Sequence, residues 1–388
     1  MKNVAIICEY NLFHNGHMYQ IKKIRERYPE SCVIALMSGN YVQRGDLAIL
    51  PKNIRAKAAC ECNADLVLEL PYPISGGTAE YFARGAVSIL NDLDGIDEIC
   101  FGSESGNLSN LNKTAERLIS DEFSNKLENA RKKLKSSNIP FNIIRQNVYE
   151  ELYGERFITK PNDILAAEYL KALKLSDSGI IPFQIKREYN YSATETRKYF
   201  LGNDFNILEN EVPKSAFNIY AESPNPVKIQ NIEKFILGYF RQCDPNMLLQ
   251  YADVTDGIEN LLCNAADKSI SYIEFFNKCK NKKYSDAKIR RIILNCVLKT
   301  TESMLKEKPL YTNVLASNSI GRDFLRSQRK ADIKIAIITK SADYKKHTEI
   351  TKQYERSINA DKLYTLAMNP PQSSDYFIKL SPYINKLY

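Results

Sequence analysis

The sequence contains no run that approaches the ~20 apolar residues needed by a helix that spans a bilayer. Its first residues pass directly into a strand pattern, without the apolar segment and small-residue cleavage site of a secretory signal. The nine cysteines lack the spacing of a zinc site or a redox pair, since even the closest two, Cys60 and Cys62, are separated by one residue. We therefore expect a cytoplasmic protein with reduced thiols, no membrane contact and no protein-bound metal centre.

Histidine is rare as well: the chain has three, and two of them lie in the short stretch His14-Asn15-Gly16-His17. An apolar run at residues 4–8 predicts a buried strand before this stretch, and residues 18–27 have the spacing of an amphipathic helix. The start of such a helix offers free backbone N–H groups and the positive end of its dipole to a phosphate. We predict that His14 and His17 are catalytic and stabilise charge on phosphate oxygens as pyrophosphate leaves. The alternative is a helix-capping loop in which the histidines only pack.

Strand and helix patterns alternate through the first half of the chain. Further strands are predicted at residues 32–38, 65–70, 96–101 and 180–186, and helices at residues 53–62, 78–90 and 164–173. This alternation predicts an α/β fold built on a doubly wound parallel sheet, whose ligands bind beyond the carboxyl ends of the strands. Residues 138–159 have no clear periodicity, and we expect a mobile flap there.

Polar and cationic residues follow the predicted strands at those carboxyl ends. Arg44, Lys52 and Arg55 come after the second strand, and small residues at positions 102–106 follow the fourth. After the last strand, at a predicted helix start, the candidates for phosphate binding are Ser192, Thr194 and Arg197. Together these residues suit a nucleotide pocket. The alternatives are isolated surface charges and an ordinary helix cap.

The second half of the chain is mainly helical, with a small α/β unit at residues 310–338. We predict two domains, residues 1–210 and residues 211–388. A cluster of basic residues surrounds Tyr284 between two predicted helices; its members are Lys280, Lys282, Lys283, Lys288, Arg290 and Arg291. The net charge of +8 favours a polyanionic partner, and this cluster offers both phosphate contacts and base stacking to RNA. The alternative is a solvated helical hairpin.

Several long motifs resemble, in the same order, those of the bacterial tRNA(Met) cytidine acetate ligase family, within the HxGH nucleotidylyltransferase superfamily. They are EYNLFHNGH, SGNYVQRGD, DLVLELP, CFGSESG, KPNDILAAEYLKAL and DGIENLL. The resemblance implies a Rossmann-like catalytic domain and a ligase that activates acetate with ATP as acetyl-adenylate. The acetyl group would pass to N4 of the wobble cytidine of elongator tRNA(Met), forming N4-acetylcytidine. The chain departs from the family pattern at Leu12, where proline is usual, and at Thr196, where a β-branched apolar residue is usual.

The resemblance also implies the site and its ligands. ATP would be a substrate with Mg²⁺ as its counterion, acetate the second substrate and elongator tRNA(Met) the partner; the oligomeric state is left open. The ATP-binding residues that it implies are Ile7, Cys8, Glu9, Tyr10, Asn11, Leu12, Phe13, His14, Asn15, Gly16, His17, Met18, Tyr19, Gln20, Gly102, Asn162, Arg187 and Glu188. Two other functions stay open: an adenylyltransferase acting on a small phosphorylated acceptor, and an RNA-binding protein with a residual nucleotide pocket. The basic second half argues against the first, and the intact histidine motif argues against the second.

Overall fold

The computed structural model describes residues 1–134, 139–187, 192–223, 225–255 and 257–386. The strands are β1 (Lys2–Cys8), β2 (Ser31–Ser38), β3 (Tyr41–Val42), β4 (Asp46–Leu47), β5 (Leu66–Leu70), β6 (Glu98–Ser103), β7 (Ile181–Lys186), β8 (Tyr311–Ser317), β9 (Ala336–Ile338) and β10 (Tyr383–Ile384). The helices of the first half are α1 (Asn15–Arg27), α2 (Lys52–Glu61), α3 (Ala79–Asp92), α4 (Leu108–Ile119), α5 (Asp121–Lys133), α6 (Phe141–Tyr153), α7 (Pro161–Leu175), α8 (Ala193–Gly202) and α9 (Phe205–Glu211). Those of the second half are α10 (Lys214–Ala221), α11 (Glu233–Gln242), α12 (Pro245–Leu248), α13 (Ile258–Asp267), α14 (Tyr272–Cys279), α15 (Asp286–Val297), α16 (Glu302–Lys306), α17 (Ser319–Gln328), α18 (Thr351–Ala367) and α19 (Tyr376–Lys379).

One sheet organises the molecule, with the strand order β10-β8-β5-β2-β1-β6-β7 and with β9 paired to β8. The five strands from β5 to β7 in this order run parallel, which confirms the doubly wound α/β fold. The chain adds β2 and β5 on one side of β1 and later places β6 on the other side. The strand order therefore reverses between β1 and β6, and ligands of such sheets bind outside the carboxyl ends of the strands at such a point.

Both faces of the central strands are covered by helices, as their continuous apolar sequences require. Every residue of β2 is buried. Ile34 and Leu36 pack in one core cluster with α3 and α7, whereas Val33 and Ala35 pack on the opposite face with α1 and α2. Alternate side chains of one strand thus supply two cores, because successive residues point to opposite faces of a sheet.

The second half contributes to the same sheet. Strand β8 pairs antiparallel with β5, and β10 and β9 pair with β8. The predicted small α/β unit at residues 310–338 therefore extends the sheet of the first half. The division into residues 1–210 and 211–388 stays a prediction. Helices α11, α13, α14 and α15 form a separate cluster together with Tyr41 and Leu47 from the first half.

The expectation of a mobile flap at residues 138–159 is wrong over the described residues, which exclude residue 138. Helix α6 occupies most of the segment and packs against α5. Ile144, Val148 and Tyr149 form its buried face, so the helix is held by an apolar stripe that includes one aromatic ring. No helix in the described part of the chain combines the length and the apolar character required to traverse a bilayer.

Candidate active site

The two histidines of the HNGH loop, residues 14–17, cap helix α1 reciprocally. The Nδ1 atom of His14 accepts a hydrogen bond from the Gly16 N–H at 3.0 Å, and His17 Nδ1 accepts one from the His14 N–H at 3.2 Å. Because both Nδ1 atoms are acceptors, the proton of each neutral imidazole lies on Nε2. His14 Nε2 is buried and has no hydrogen-bond partner among the described residues. The capping loop left as the alternative is therefore real, yet it leaves Nε2–H groups free to donate.

Both imidazoles are held in the neutral form. Burial, followed by the charges of Arg187 and Arg197, lowers the pKa of His14 to about 3. Burial also lowers the pKa of His17, and His14 and Arg187 lower it further. The two rings stack with their centroids 3.8 Å apart, a contact that two imidazolium cations would oppose. The pair is thus a set of neutral donors at neutral pH.

Partners from other elements fix the conformation of the loop. The ring of His17 lies edge-on to Tyr10, with centroids 4.8 Å apart, and near Phe13 at 5.5 Å. The Tyr220 hydroxyl of α10 accepts a hydrogen bond from the Phe13 N–H at 3.0 Å. Asn15 Nδ2 donates to a backbone carbonyl of α9 at 2.8 Å. Sequence reasoning missed Tyr220, because nothing local marks a tyrosine that packs against a loop some 200 residues away.

Arg187, Asn162 and Glu104 form a hydrogen-bonded chain across the ends of β6, β7 and α7. Arg187 Nη1 donates to Asn162 Oδ1 at 2.9 Å, and Asn162 Nδ2 donates to Glu104 Oε1 at 2.6 Å. Glu104 Oε2 accepts from the Asp163 N–H at 2.9 Å, so this carboxylate caps the start of α7. A Cβ on Gly102 would lie 3.0 Å from Arg187 Cγ, so glycine leaves room for the arginine. Sequence reasoning missed Glu104, although it lies within the CFGSESG motif.

The three residues predicted to bind phosphate near the start of α8 have different hydrogen-bond partners in the structure. Ser192 Oγ accepts a hydrogen bond from the Glu195 N–H at 3.4 Å and caps α8. Arg197 reaches the segment between β1 and α1, where Nη1 donates to the Asn11 carbonyl at 2.8 Å. Its Nη2 donates to Thr194 Oγ1 within α8 at 3.2 Å. Phosphate binding by the three residues stays a prediction. Glu188, also predicted to bind ATP, lies outside the described residues.

The remaining implied ATP residues lie at the end of β1, in the connection at residues 9–14 and in the first turns of α1. Glu9 Oε1 accepts a hydrogen bond from the Gln43 N–H at 2.8 Å, and Gln20 Nε2 donates to the Cys100 carbonyl at 3.1 Å. Leu12, which replaces the proline usual in the family, is fully buried, and the peptide bond before it is cis. ATP contacts of this stretch stay a prediction.

Lys52 and Arg55, expected to line a nucleotide pocket, bind protein groups instead. Arg55 is fully buried and donates to the backbone carbonyls of Leu50, Glu9, Ser38 and Gly39. Lys52 Nζ lies 2.8 Å from the Glu69 carboxylate and 2.7 Å from that of Asp361. Buried cations need such partners, because desolvation would otherwise penalise the charge.

Residues 1–376 match the model of the HIGH Nucleotidyl Transferase family. The chain belongs to this family. A tRNA(Met) cytidine acetate ligase of Caldanaerobacter subterraneus subsp. tengcongensis is 36% identical, over 95% of this chain and 96% of that protein. One of Acetivibrio thermocellus is 32% identical, over 96% of each chain. The crystal structure of Thermotoga maritima TmcAL with bound alpha-thio ATP has a TM-score of 0.91 and 27% identity, covering all of both chains.

In this HIGH nucleotidyl transferase the basic cluster adjoins the β3–β4 hairpin. The hairpin of β3 and β4 follows β2 and packs on α15, where Arg290 Nε donates to the Arg44 carbonyl at 3.3 Å. A Cβ on Gly45, which has a φ of +71°, would lie 2.5 Å from the backbone nitrogen of Arg291. The hairpin thus joins the carboxyl edge of the sheet to the basic helix of this transferase.

The members of the basic cluster differ in their partners. Arg291 Nε lies 3.2 Å from Asp253 Oδ2, and Lys280 lies 3.3 Å from the Asp286 carboxylate. The Lys288 ammonium is 4.7 Å from the Tyr284 ring centroid and that of Lys283 is 5.5 Å from it. The structure therefore brings all six candidates to the α14–α15 turn and the start of α15. RNA binding by this surface of the HIGH nucleotidyl transferase stays a prediction.

Proposed function

We propose that this protein is an ATP-dependent ligase that activates acetate as acetyl-adenylate. It then transfers the acetyl group to N4 of the wobble cytidine of elongator tRNA(Met), forming N4-acetylcytidine. The observation that supports this most is the unpartnered Nε2–H of His14 at the start of α1, close enough to Arg187 and Arg197 for their charges to lower its pKa. The names of the relatives support the acetate and tRNA parts of the proposal. The tRNA substrate would place the enzyme in the cytoplasm.

In the first half-reaction an acetate oxygen attacks the α-phosphorus of ATP. The bond from that phosphorus to the bridging oxygen of pyrophosphate breaks, and pyrophosphate leaves with the electron pair. The protein positions the reactants and stabilises the developing charge, as in other phosphorus-centred transfers. His14 and His17 would donate from Nε2 to phosphate oxygens, while Arg187 and Arg197 would neutralise charge beside them.

Mg²⁺ enters this proposal as the counterion of ATP. Among the described residues no group of three or more His, Cys, Asp and Glu side chains could hold a metal ion. The ATP phosphates would therefore carry the ion, as Mg²⁺ commonly binds through substrate phosphates and water. The roles of the histidines and arginines do not depend on it.

In the second half-reaction the cytosine amine attacks the acetyl carbonyl carbon of the adenylate. This amine is a weak nucleophile, so the mixed anhydride supplies the driving force. The basic cluster on α15 would hold the tRNA phosphates, and its contact with the β3–β4 hairpin would bring the cytidine towards the adenylate. An adenylyltransferase for a small acceptor would have no use for that basic surface.

The decisive experiment is ATP–pyrophosphate exchange with and without acetate, followed by transfer of labelled acetate to total tRNA. The proposal predicts that exchange requires acetate and that the label is recovered in tRNA as N4-acetylcytidine. Exchange that ignores acetate would indicate an adenylyltransferase with another acceptor. Absence of exchange together with tRNA binding would indicate an RNA-binding protein.

A further inference from the structure

The β3–β4 hairpin connects the nucleotide side of the site to the RNA side. At one end the Gln43 N–H donates to Glu9 Oε1 at 2.8 Å, beside the carboxyl end of β1. At the other end the Arg44 carbonyl accepts from Arg290 Nε of α15 at 3.3 Å. If RNA lies on α15 and the adenylate at the carboxyl end of β1, as proposed above, this hairpin would stand between the base and the adenylate.

Asp46, the first residue of β4, carries the carboxylate of this hairpin. It is half-buried, and its Oδ1 atom accepts a hydrogen bond from the Leu47 N–H at 2.8 Å. Among the described residues no other hydrogen bond and no salt bridge holds the carboxylate, so Oδ2 is available to a ligand. Burial raises the pKa of Asp46, while the charges of Arg290 and Arg197 act in the opposite direction. This carboxylate is therefore a better proton acceptor than an exposed aspartate.

We propose that Asp46 accepts the proton that the cytosine amine loses during acetyl transfer, an inference that rests on the function proposed above. The N4 atom forms a bond to the acetyl carbonyl carbon, and the bond from that carbon to the phosphate oxygen of the adenylate breaks. AMP leaves with the electron pair. The proton of N4 moves to Asp46 Oδ2, so the product amide is neutral and the charge of the carboxylate is cancelled.

The charged and polar groups near Asp46 bear on the proposed transfer step. Arg197 on α8 and Arg290 on α15 are close enough to affect its pKa, and Arg44 lies two residues away on the same hairpin. Their positive charges favour the departing AMP, whose phosphate gains charge as the anhydride bond to the acetyl carbon breaks. The charge of Asp46 contributes to the raised pKa of Tyr272 on α14. The buried hydroxyl of Tyr272 has no hydrogen-bond partner in the described part of the chain. The simpler role for Asp46 would be to neutralise these arginines.

The two roles are separated by splitting the reaction into its halves with Asp46→Asn. Acetyl-adenylate formation is followed as acetate-dependent ATP–pyrophosphate exchange, and the adenylate is trapped with hydroxylamine, a strong nucleophile that needs no protein base. Transfer is followed as single-turnover acetylation of tRNA. We expect exchange and hydroxamate formation at the wild-type level and transfer slowed by about 10²–10⁴-fold, the usual contribution of a general base. Asp46→Glu should recover part of the transfer rate, and Asp323→Asn on α17 should behave as wild type.

A pH profile supplies the second readout. The wild-type transfer rate should fall as the pH drops through the pKa of Asp46, because the protonated acid cannot accept a proton, and this limb should be absent in Asp46→Asn. Loss of exchange together with transfer would overturn the inference and give Asp46 a structural role, as would weaker tRNA binding with an unchanged transfer rate at saturating tRNA. Transfer at the wild-type rate would overturn it as well. If the wild-type protein showed no acetate-dependent exchange, the proposed function itself would fail.

Discussion

One pair of substitutions can separate the helix cap that His14 forms from the catalytic role proposed for it. Its Nδ1 atom caps α1 by accepting from the Gly16 N–H, and its buried Nε2–H has no partner in the described part of the chain. His14→Asn keeps a side-chain acceptor for the cap, since asparagine is a preferred N-cap residue, but has no donor at the position of Nε2. His14→Ala removes both groups.

Loss of the Nε2 donor and loss of the helix cap should differ in magnitude and in the quantity that they affect. One donor to a charge that develops in the transition state contributes about 10²–10³-fold in rate, or roughly 2.7–4 kcal/mol. The cap contributes about 1 kcal/mol to the free energy of unfolding. We therefore expect both variants to lose about 10²–10³-fold in acetate-dependent exchange, whereas only His14→Ala should lose about 1 kcal/mol of stability.

The assays are ATP–pyrophosphate exchange at saturating acetate and unfolding in urea. His347→Asn is the matched control, because the side chain of this histidine is 42% accessible, its Nδ1 lies 3.4 Å from Glu349 Oε1, and it is far along the chain from the HNGH loop. Wild-type exchange in His14→Asn would refute the catalytic role of Nε2. Equal stability of the Ala and Asn variants would refute the role of the cap.

Three further outcomes follow from the same contacts. Reversing the charge of Lys282 and Lys283 should weaken tRNA binding and leave exchange without tRNA unchanged. The slope of the logarithm of the binding constant against the logarithm of the salt concentration should become shallower by about 0.7–0.9 per lost phosphate contact. Lys132→Glu on α5 should change neither binding nor exchange. Glu104→Ala should cost about 0.5–2 kcal/mol by uncapping α7 and should raise the KM for ATP, measured by urea unfolding and exchange. The lowered pKa values of His14 and His17 mean that the unfolded chain binds two protons that the folded chain excludes. These two groups should therefore lower stability by about 2.7 kcal/mol per pH unit below roughly pH 6.5, measured by unfolding at several pH values. A flat stability profile would contradict the neutral state of these histidines.

The parts of the fold that could be predicted are those with a local signal. The parallel strands and the helix after the HNGH loop follow from apolar periodicity and from a capping motif within four residues of chain. The antiparallel pairing of β8 with β5 could not be predicted, because it joins segments more than 240 residues apart and leaves no periodic trace in either. Helix α6 was missed because its buried stripe is narrow and is broken by polar residues.

In the candidate site, too, only the features with a local sequence signal could be predicted. The motif placed His14 and His17 correctly at the first turn of α1, since the cap is formed within the motif itself. Charge alone could not distinguish Arg197 from Arg55. Arg197 donates to the Asn11 carbonyl just before the HNGH loop, whereas Arg55 donates to backbone carbonyls in the core. The difference lies in tertiary packing, which a single sequence does not display.

The antiparallel strand β8 has a consequence for synthesis of the chain. Until residue 317 has left the ribosome, β5 is an edge strand, and the backbone groups of Leu66, Val67 and Leu68 that later pair with β8 are open to other chains. A fragment that ends at residue 210 keeps this edge permanently and also lacks Tyr220, the partner of the Phe13 N–H. The sheet of the first half is thus completed only by the last quarter of the protein, and a nascent chain carries an unpaired sheet edge for most of its translation.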